Sequence, residues 1–187
     1  MLLSSFRKVI SNNLRASFST SSEAPVLYFY ENKVCKALLN RPKALNAQNT
    51  EMIQVLQKEA NKWKANNDTR VAIFAGAGKA FSAGGDVKYL YQIRNEEHRK
   101  EIYDKIFRDE YTLDYDLAHM KTIQDAFWDG LVMGGGVGIS VHAPIRIATE
   151  NTILAMPEAK IGLFTDCGAG YFYSRLRNNL GYFYGIT

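Results

Sequence analysis

The chain is poor in the residues that staple or metallate a small domain. Among 187 residues there are two cysteines, Cys35 and Cys167, and three histidines, His98, His119 and His142. Neither type shows the close spacing of a zinc site or a redox pair, so a disulfide framework and a metal centre are not expected. No apolar run approaches the roughly 18 residues that a membrane span requires. Acids are missing from one stretch: no Asp or Glu precedes Glu23, whereas Arg7, Lys8 and Arg15 lie there. These three carry most of the formal charge of +4, because the remainder holds 20 bases against 19 acids. The basic balance therefore belongs to the leader, and a nucleic-acid surface is not implied.

What the leader does have is Ser, Arg and Asn, with Leu2, Leu3, Phe6, Val9, Ile10 and Leu14 at roughly helical spacing. Residues 1–22 read as a disordered transit peptide, mitochondrial in type; a secretory signal needs an unbroken apolar centre, which Lys8, Ser11 and Asn12 interrupt. The rest, from residue 25 onward, predicts one domain, and 47% hydrophobic residues supply ample core.

Val26 to Tyr30 and Val34 to Leu39 are β-rich runs separated by Glu31-Asn32-Lys33, which predicts a hairpin. A Pro-punctuated loop, Asn40 to Asn46, precedes a helix that Asn49 or Thr50 can cap, with Met52, Ile53, Val55, Leu56, Ala60 and Trp63 on one face. Arg70 to Ala75 is a strand closed by Gly76-Ala77-Gly78-Lys79. That turn lacks the Walker A spacing, and Ala80 stands where the hydroxyl residue would be. Ile93 to Lys121 predicts one or two surface helices over the site. Ile102, Ile106, Tyr111, Leu113 and Leu117 form their apolar face, and the charges form a solvated one. Thr122 to Trp128, Pro144 to Thr149 and Thr152 to Ala155 read as strands, and Gly168-Ala169-Gly170 opens a closing helix with Tyr171, Phe172, Leu176 and Leu180. Near the end of the small-residue helix after Val137, His142 reads as structural. The alternation of strands and helices predicts an α/β domain of parallel character.

Two glycine turns stand out. Ala83-Gly84-Gly85-Asp86 and Gly134-Gly135-Gly136 each follow an apolar run and open a helix, and Asp86 or Ser82 is placed to cap the first of these. Backbone N–H groups unshielded by side chains suit an oxyanion, and two such turns can aim at one oxygen from two sides. Downstream, Met156-Pro157-Glu158 and Leu163-Phe164-Thr165-Asp166 add two carboxylates in otherwise apolar sequence.

The blocks Leu39-Asn40-Arg41-Pro42-Lys43-Ala44-Leu45-Asn46, Gly78 to Asp86, Met133 to Gly138, Ala155 to Glu158, Ile161 to Asp166 and Leu180-Gly181-Tyr182-Phe183, in this order, resemble the crotonase (enoyl-CoA hydratase/isomerase) superfamily over about Val26 to Thr187. The resemblance implies a crotonase-like α/β fold of ββα repeats, a spiral sheet flanked by helices, incomplete at the C-terminus because its thioester hydrolases are about twice this length. It implies hydrolysis of the thioester of 3-hydroxyisobutyryl-CoA, in valine breakdown in the mitochondrial matrix. By the same resemblance, Gly85 and Gly135 supply the oxyanion pair, Glu158 acts as nucleophile or as base for water, and Asp166 orients the substrate hydroxyl or the water. Lys43, Ala44 and Leu45, with Ala83, Gly84, Asp86 and Gly134, bind the substrate and its CoA. The substrate is a small-molecule acyl-CoA; no metal or further cofactor, nucleic acid or membrane is implied, and homo-oligomerisation at full length stays open. Hydratases of the superfamily carry a second glutamate two residues past the triplet, where this chain has Gly138, so a two-carboxylate hydratase is expected to lack one acid. Thr165 stands where the hydrolases have proline before the aspartate. Two alternatives remain at this stage: an enoyl-CoA hydratase or isomerase, and a non-catalytic scaffold of this fold within a mitochondrial assembly.

Overall fold

The computed structural model describes residues 23–65 and 68–186. The expected transit peptide lies outside them. The predicted hairpin forms as β1 (Val26–Glu31) and β2 (Val34–Leu39), paired antiparallel, with Asn32 and Lys33 both at positive φ in the turn. Helix α1 (Thr50–Ala65) follows. Asn49 Oδ1 accepts the N–H of Met52 at 3.0 Å and closes its first turn, and Met52, Ile53, Leu56, Ala60 and Trp63 face inward.

Three repeats of one unit then build two sheets. Each unit gives a long strand to the first sheet and a three-residue strand to the second: β3 (Val71–Gly76) with β4 (Ala80–Ser82), β5 (Ile123–Trp128) with β6 (Leu131–Met133), and β7 (Ile145–Ala148) with β8 (Ile153–Ala155). The first sheet runs β1-β2-β3-β5-β7 and is parallel except for its hairpin; the second runs β4-β6-β8 and is parallel throughout. This is the spiral of repeats that the family resemblance implied. The core lies where α1 covers the first sheet, with Phe74 fully buried and its ring edge-on to Trp63 at 5.9 Å between centroids. Phe81, Val132 and Val137 continue it under the second sheet. At roughly 1.5–3 kcal/mol per fully buried large apolar side chain, these rings and aliphatics dominate the stability of the domain.

Two short helices and one long one follow the first two strands of the second sheet. Helix α2 (Val87–Gln92) is capped by Asp86, whose Oδ1 accepts from the Tyr89 N–H at 3.1 Å; of the two expected caps, Asp86 is the one used. Helix α3 (Arg99–His119) is the single long helix over the site, and α4 (Gly135–Gly138) is only one turn. The expected closing helix is two pieces, α5 (Ala169–Tyr173) and α6 (Leu180–Ile186). The chain breaks between them at Asn178 and Asn179, both at positive φ, which a continuous helix cannot accommodate. Among the described residues, no helix is long and apolar enough to cross a membrane.

Candidate active site

The two glycine turns meet. Gly84 has φ +91°, and a Cβ there would sit 2.9 Å from the Met133 carbonyl oxygen and 3.4 Å from the Gly135 nitrogen. Gly134 has φ +49° and ψ −123°, and a Cβ there would lie 3.7 Å from Gly84 Cα. Only residues without a side chain allow this approach in this conformation. The next residues of the two turns, Gly85 and Gly135, both line the space beside this approach. At the first position of α4, Gly135 has no carbonyl one turn back to bond, and among the described residues the Gly85 N–H has no acceptor. A Cβ on Gly85 would meet nothing within 4 Å, so the space in front of it is open.

A cavity of about 200 Å³ fills that space, lined by Gly85, Gly135, Glu110, Glu158, Asp166 and Cys167, among others. Glu158 begins a 3-10 turn (Glu158–Ile161) just past β8, the edge strand of the second sheet that pairs with β6 beside the Gly134 turn. Its Oε1 stands 2.7 Å from where a Cβ of Gly134 would be, the side chain is buried, and Oε2 has no hydrogen-bond partner among the described residues. Burial, and secondarily the charge of Asp166, raises its carboxyl above the ordinary range. Asp166 is also buried and accepts the Tyr111 hydroxyl at 2.7 Å. Thus the sequence-assigned Gly85, Gly135, Glu158 and Asp166 all line one cavity, as do Ala83, Gly84, Asp86 and Gly134. Ala44 lines an adjoining open groove with Arg41, Asp86 and Lys88, while Lys43 and Leu45 lie exposed on the same loop. The Asp86 carboxylate is committed internally, to the Tyr89 N–H and to Arg41 Nη2 at 2.9 Å.

Two acids escaped the sequence reading. The charges of α3 were expected on a solvated face, yet Glu110 and Asp114 are only 5% and 8% exposed. Glu110 Oε1 stands 2.2 Å from a Cβ position on Gly135, and Asp114 Oδ2 stands 2.5 Å from one on Gly138. The space that a side chain at 138 would need is therefore held by Asp114. The glutamate that a two-carboxylate hydratase carries at 138 is absent, and the one acid that α3 brings to the cavity, Glu110, comes from the opposite side. Burial first, then the charges of Asp166 and Glu158, pushes the Glu110 carboxyl up to about 7. Asp114, with both oxygens unpartnered among the described residues, is raised well above its ordinary value, chiefly by burial.

Cys35 and Cys167 are both free and buried, the latter placing Sγ 3.9 Å from Glu110 Oε1. Among the described residues, no three His, Cys, Asp or Glu side chains are arranged to hold a metal ion. His142 packs edge-on to Tyr171 and Phe172, with centroids 5.9 and 6.2 Å away, and burial lowers its imidazole, which fits a structural role.

The sequence profile described as enoyl-CoA hydratase/isomerase matches residues 34–187. The 3-hydroxyisobutyryl-CoA hydrolase, mitochondrial, of Dictyostelium discoideum is 44% identical over 185 residues, covering 95% of this chain and 48% of its own length. The human protein of the same name is 42% identical over 181 residues, covering 95% and 46%. This chain thus spans about half the length of the relatives it matches. Among solved structures, a carnitinyl-CoA dehydratase from Mycobacterium thermoresistibile superposes with a TM-score of 0.81 at 32% identity, over 88% of this chain and 48% of that one. An enoyl-CoA hydratase from Rhodobacter sphaeroides gives 0.81 at 30%, over 87% and 48%.

Proposed function

The chain belongs to the enoyl-CoA hydratase/isomerase family, and within it we propose that the protein hydrolyses the thioester of 3-hydroxyisobutyryl-CoA to 3-hydroxyisobutyrate and CoA, in the mitochondrial matrix. The reading is supported by relatives of 40–44% identity that carry that name. The observation that carries it is the buried Glu158 carboxylate set against Gly134, in the cavity that Gly85 and Gly135 also line.

In this mechanism the thioester oxygen lies between the two N–H groups. Glu158 either attacks the carbonyl carbon, giving a mixed anhydride that water then opens, or takes a proton from a water that attacks in its place. The carbonyl electron pair moves onto oxygen, where the two N–H groups stabilise it; collapse breaks the C–S bond, and the thiolate leaves and is protonated. Each N–H donor is worth about 10² to 10³ in rate. Asp166, steadied by Tyr111, accepts the substrate hydroxyl or orients the water. The chemistry proposed uses no metal or redox group, CoA being part of the substrate. Partners beyond the acyl-CoA are not part of the proposal.

The test is release of free thiol from 3-hydroxyisobutyryl-CoA by the purified protein and by Glu158→Gln. The variant is expected to lose about 10²- to 10⁴-fold, the range for a positioned acid–base or nucleophilic group; equal rates remove Glu158 from the mechanism. One observation favours a second reading, hydration of an enoyl-CoA: Glu110 brings a second carboxylate to the cavity that holds Glu158. Loss of the enoyl absorbance of crotonyl-CoA, abolished in Glu110→Gln, would support hydration; an unchanged absorbance would remove it.

A further inference from the structure

The oxyanion donor Gly85 is held by the loop that the family resemblance assigned to CoA. The loop Arg41 to Gln48 and the turn Ala80 to Asp86 are joined by Asn46, which is fully buried at φ +56° and uses every polar group it has. Its N–H donates to the Arg41 carbonyl at 2.9 Å, and its Oδ1 accepts the Arg41 N–H at 2.8 Å. Its Nδ2 donates to the carbonyls of Ala77 and Ala80 at 2.9 and 2.8 Å, and its own carbonyl accepts the Ser82 hydroxyl at 2.9 Å.

From this anchor the two segments run side by side. The Ala83 N–H donates to Leu45 O at 2.9 Å, Gln48 N–H to Gly84 O at 2.7 Å, and Asp86 N–H to Gln48 O at 2.9 Å. The second of these bonds matters most. The Gly84 carbonyl and the Gly85 N–H belong to one planar peptide, so fixing the oxygen fixes the direction of the N–H, and a bond at one end polarises the other. At the far side, Arg41 Nη2 pairs with Asp86 Oδ2 at 2.9 Å while Nη1 donates to the Ala47 carbonyl. The guanidinium fork thus ties residue 47 to residue 86, one step outside Gln48 and Gly85.

We propose that Arg41 and Asn46 are positioning residues for the Gly85 donor: they clamp the 41–48 loop to the glycine turn and so orient the Gly84–Gly85 peptide, and Arg41 is spent on this clamp rather than on a CoA phosphate. The kinetic consequence rests on the hydrolase reading; the clamp itself does not. The test therefore has two arms on the full chain. In Arg41→Met, amide hydrogen exchange at Gln48 and Asp86 is expected to rise at least tenfold, while that at Gly138 and Ile139 in the other turn stays within twofold. Thiol release is expected to fall about tenfold in kcat with KM within twofold, and equally with 3-hydroxyisobutyryl-CoA and with the matching pantetheine thioester, which has no nucleotide. Arg41→Lys should recover part of both losses. Unchanged exchange at Gln48 and Asp86 overturns the clamp whether or not the protein turns over substrate. Raised exchange with unchanged kcat, or a loss confined to KM for the CoA thioester, overturns the positioning role. A wild-type chain that releases no thiol counts against the hydrolase reading alone, and the exchange arm still decides the clamp.

Discussion

Glu110→Gln should make the protein more stable than wild type, increasingly so as pH rises from about 4.5 to about 7. Glu110 is 5% exposed, lies against Gly135, and shares its surroundings with Asp166 and Glu158, so its proton is held up to about 7 from an ordinary 4.5. A carboxyl whose folded value is raised favours the fold fully below the unfolded value. That contribution is lost as pH climbs through the folded value, because the unfolded chain ionises freely while the folded one resists. At 1.36 kcal/mol per pH unit, the full loss is about 3 kcal/mol, most of which falls between pH 5 and pH 8. Glutamine keeps the shape and cannot ionise. In urea unfolding, the free energy of the variant relative to wild type should therefore rise by about 2–3 kcal/mol between pH 5 and pH 8. In a domain of this size that corresponds to roughly 5–10 °C in Tm at pH 8. A difference between the two proteins that is the same at pH 5 and pH 8, or one that moves in favour of wild type, refutes the reasoning.

Two further substitutions probe the walls of the site. Gly138→Ala should destabilise by about 1–3 kcal/mol although Ala favours helix, because its Cβ would sit 2.5 Å from the buried Asp114 Oδ2. Adding Asp114→Ala should return most of that loss in chemical denaturation, and strict additivity of the pair would deny the contact. Tyr111→Phe removes the 2.7 Å hydrogen bond to Asp166 and should cost about 1 kcal/mol of stability. With Asp166 less well oriented, thiol release should fall severalfold in kcat; unchanged turnover would detach Asp166 from the reaction.

How much of this was legible in the sequence depends on how each feature writes itself into local pattern. The hairpin and α1 announce themselves, because alternation and three-to-four spacing are repeated over enough residues to be unambiguous, as in Met52, Ile53, Leu56, Ala60 and Trp63. The glycine turns were legible as special because Gly84 and Gly134 stand at positive φ where the two backbones approach closely. The strands β4 and β6 were not read, because each is three residues that run straight into a glycine turn; their pairing is set by their neighbours in the second sheet. Glu110 and Asp114 are the instructive miss. Ile106, Glu110, Leu113, Asp114 and Leu117 are the buried residues of α3, and their spacing of four, three, one and three traces one helical stripe. The acids stand on the apolar stripe itself, and in a helix rich in charge elsewhere that is the one place where an acid is informative: burial there is costly unless the group has a use. Gly138 carries the same message from the opposite side. Read alone, it says that a carboxylate is missing from α4. Read beside Asp114, it says that the space a side chain on α4 would need is held by a buried acid of α3, and the two positions have to be tested as one.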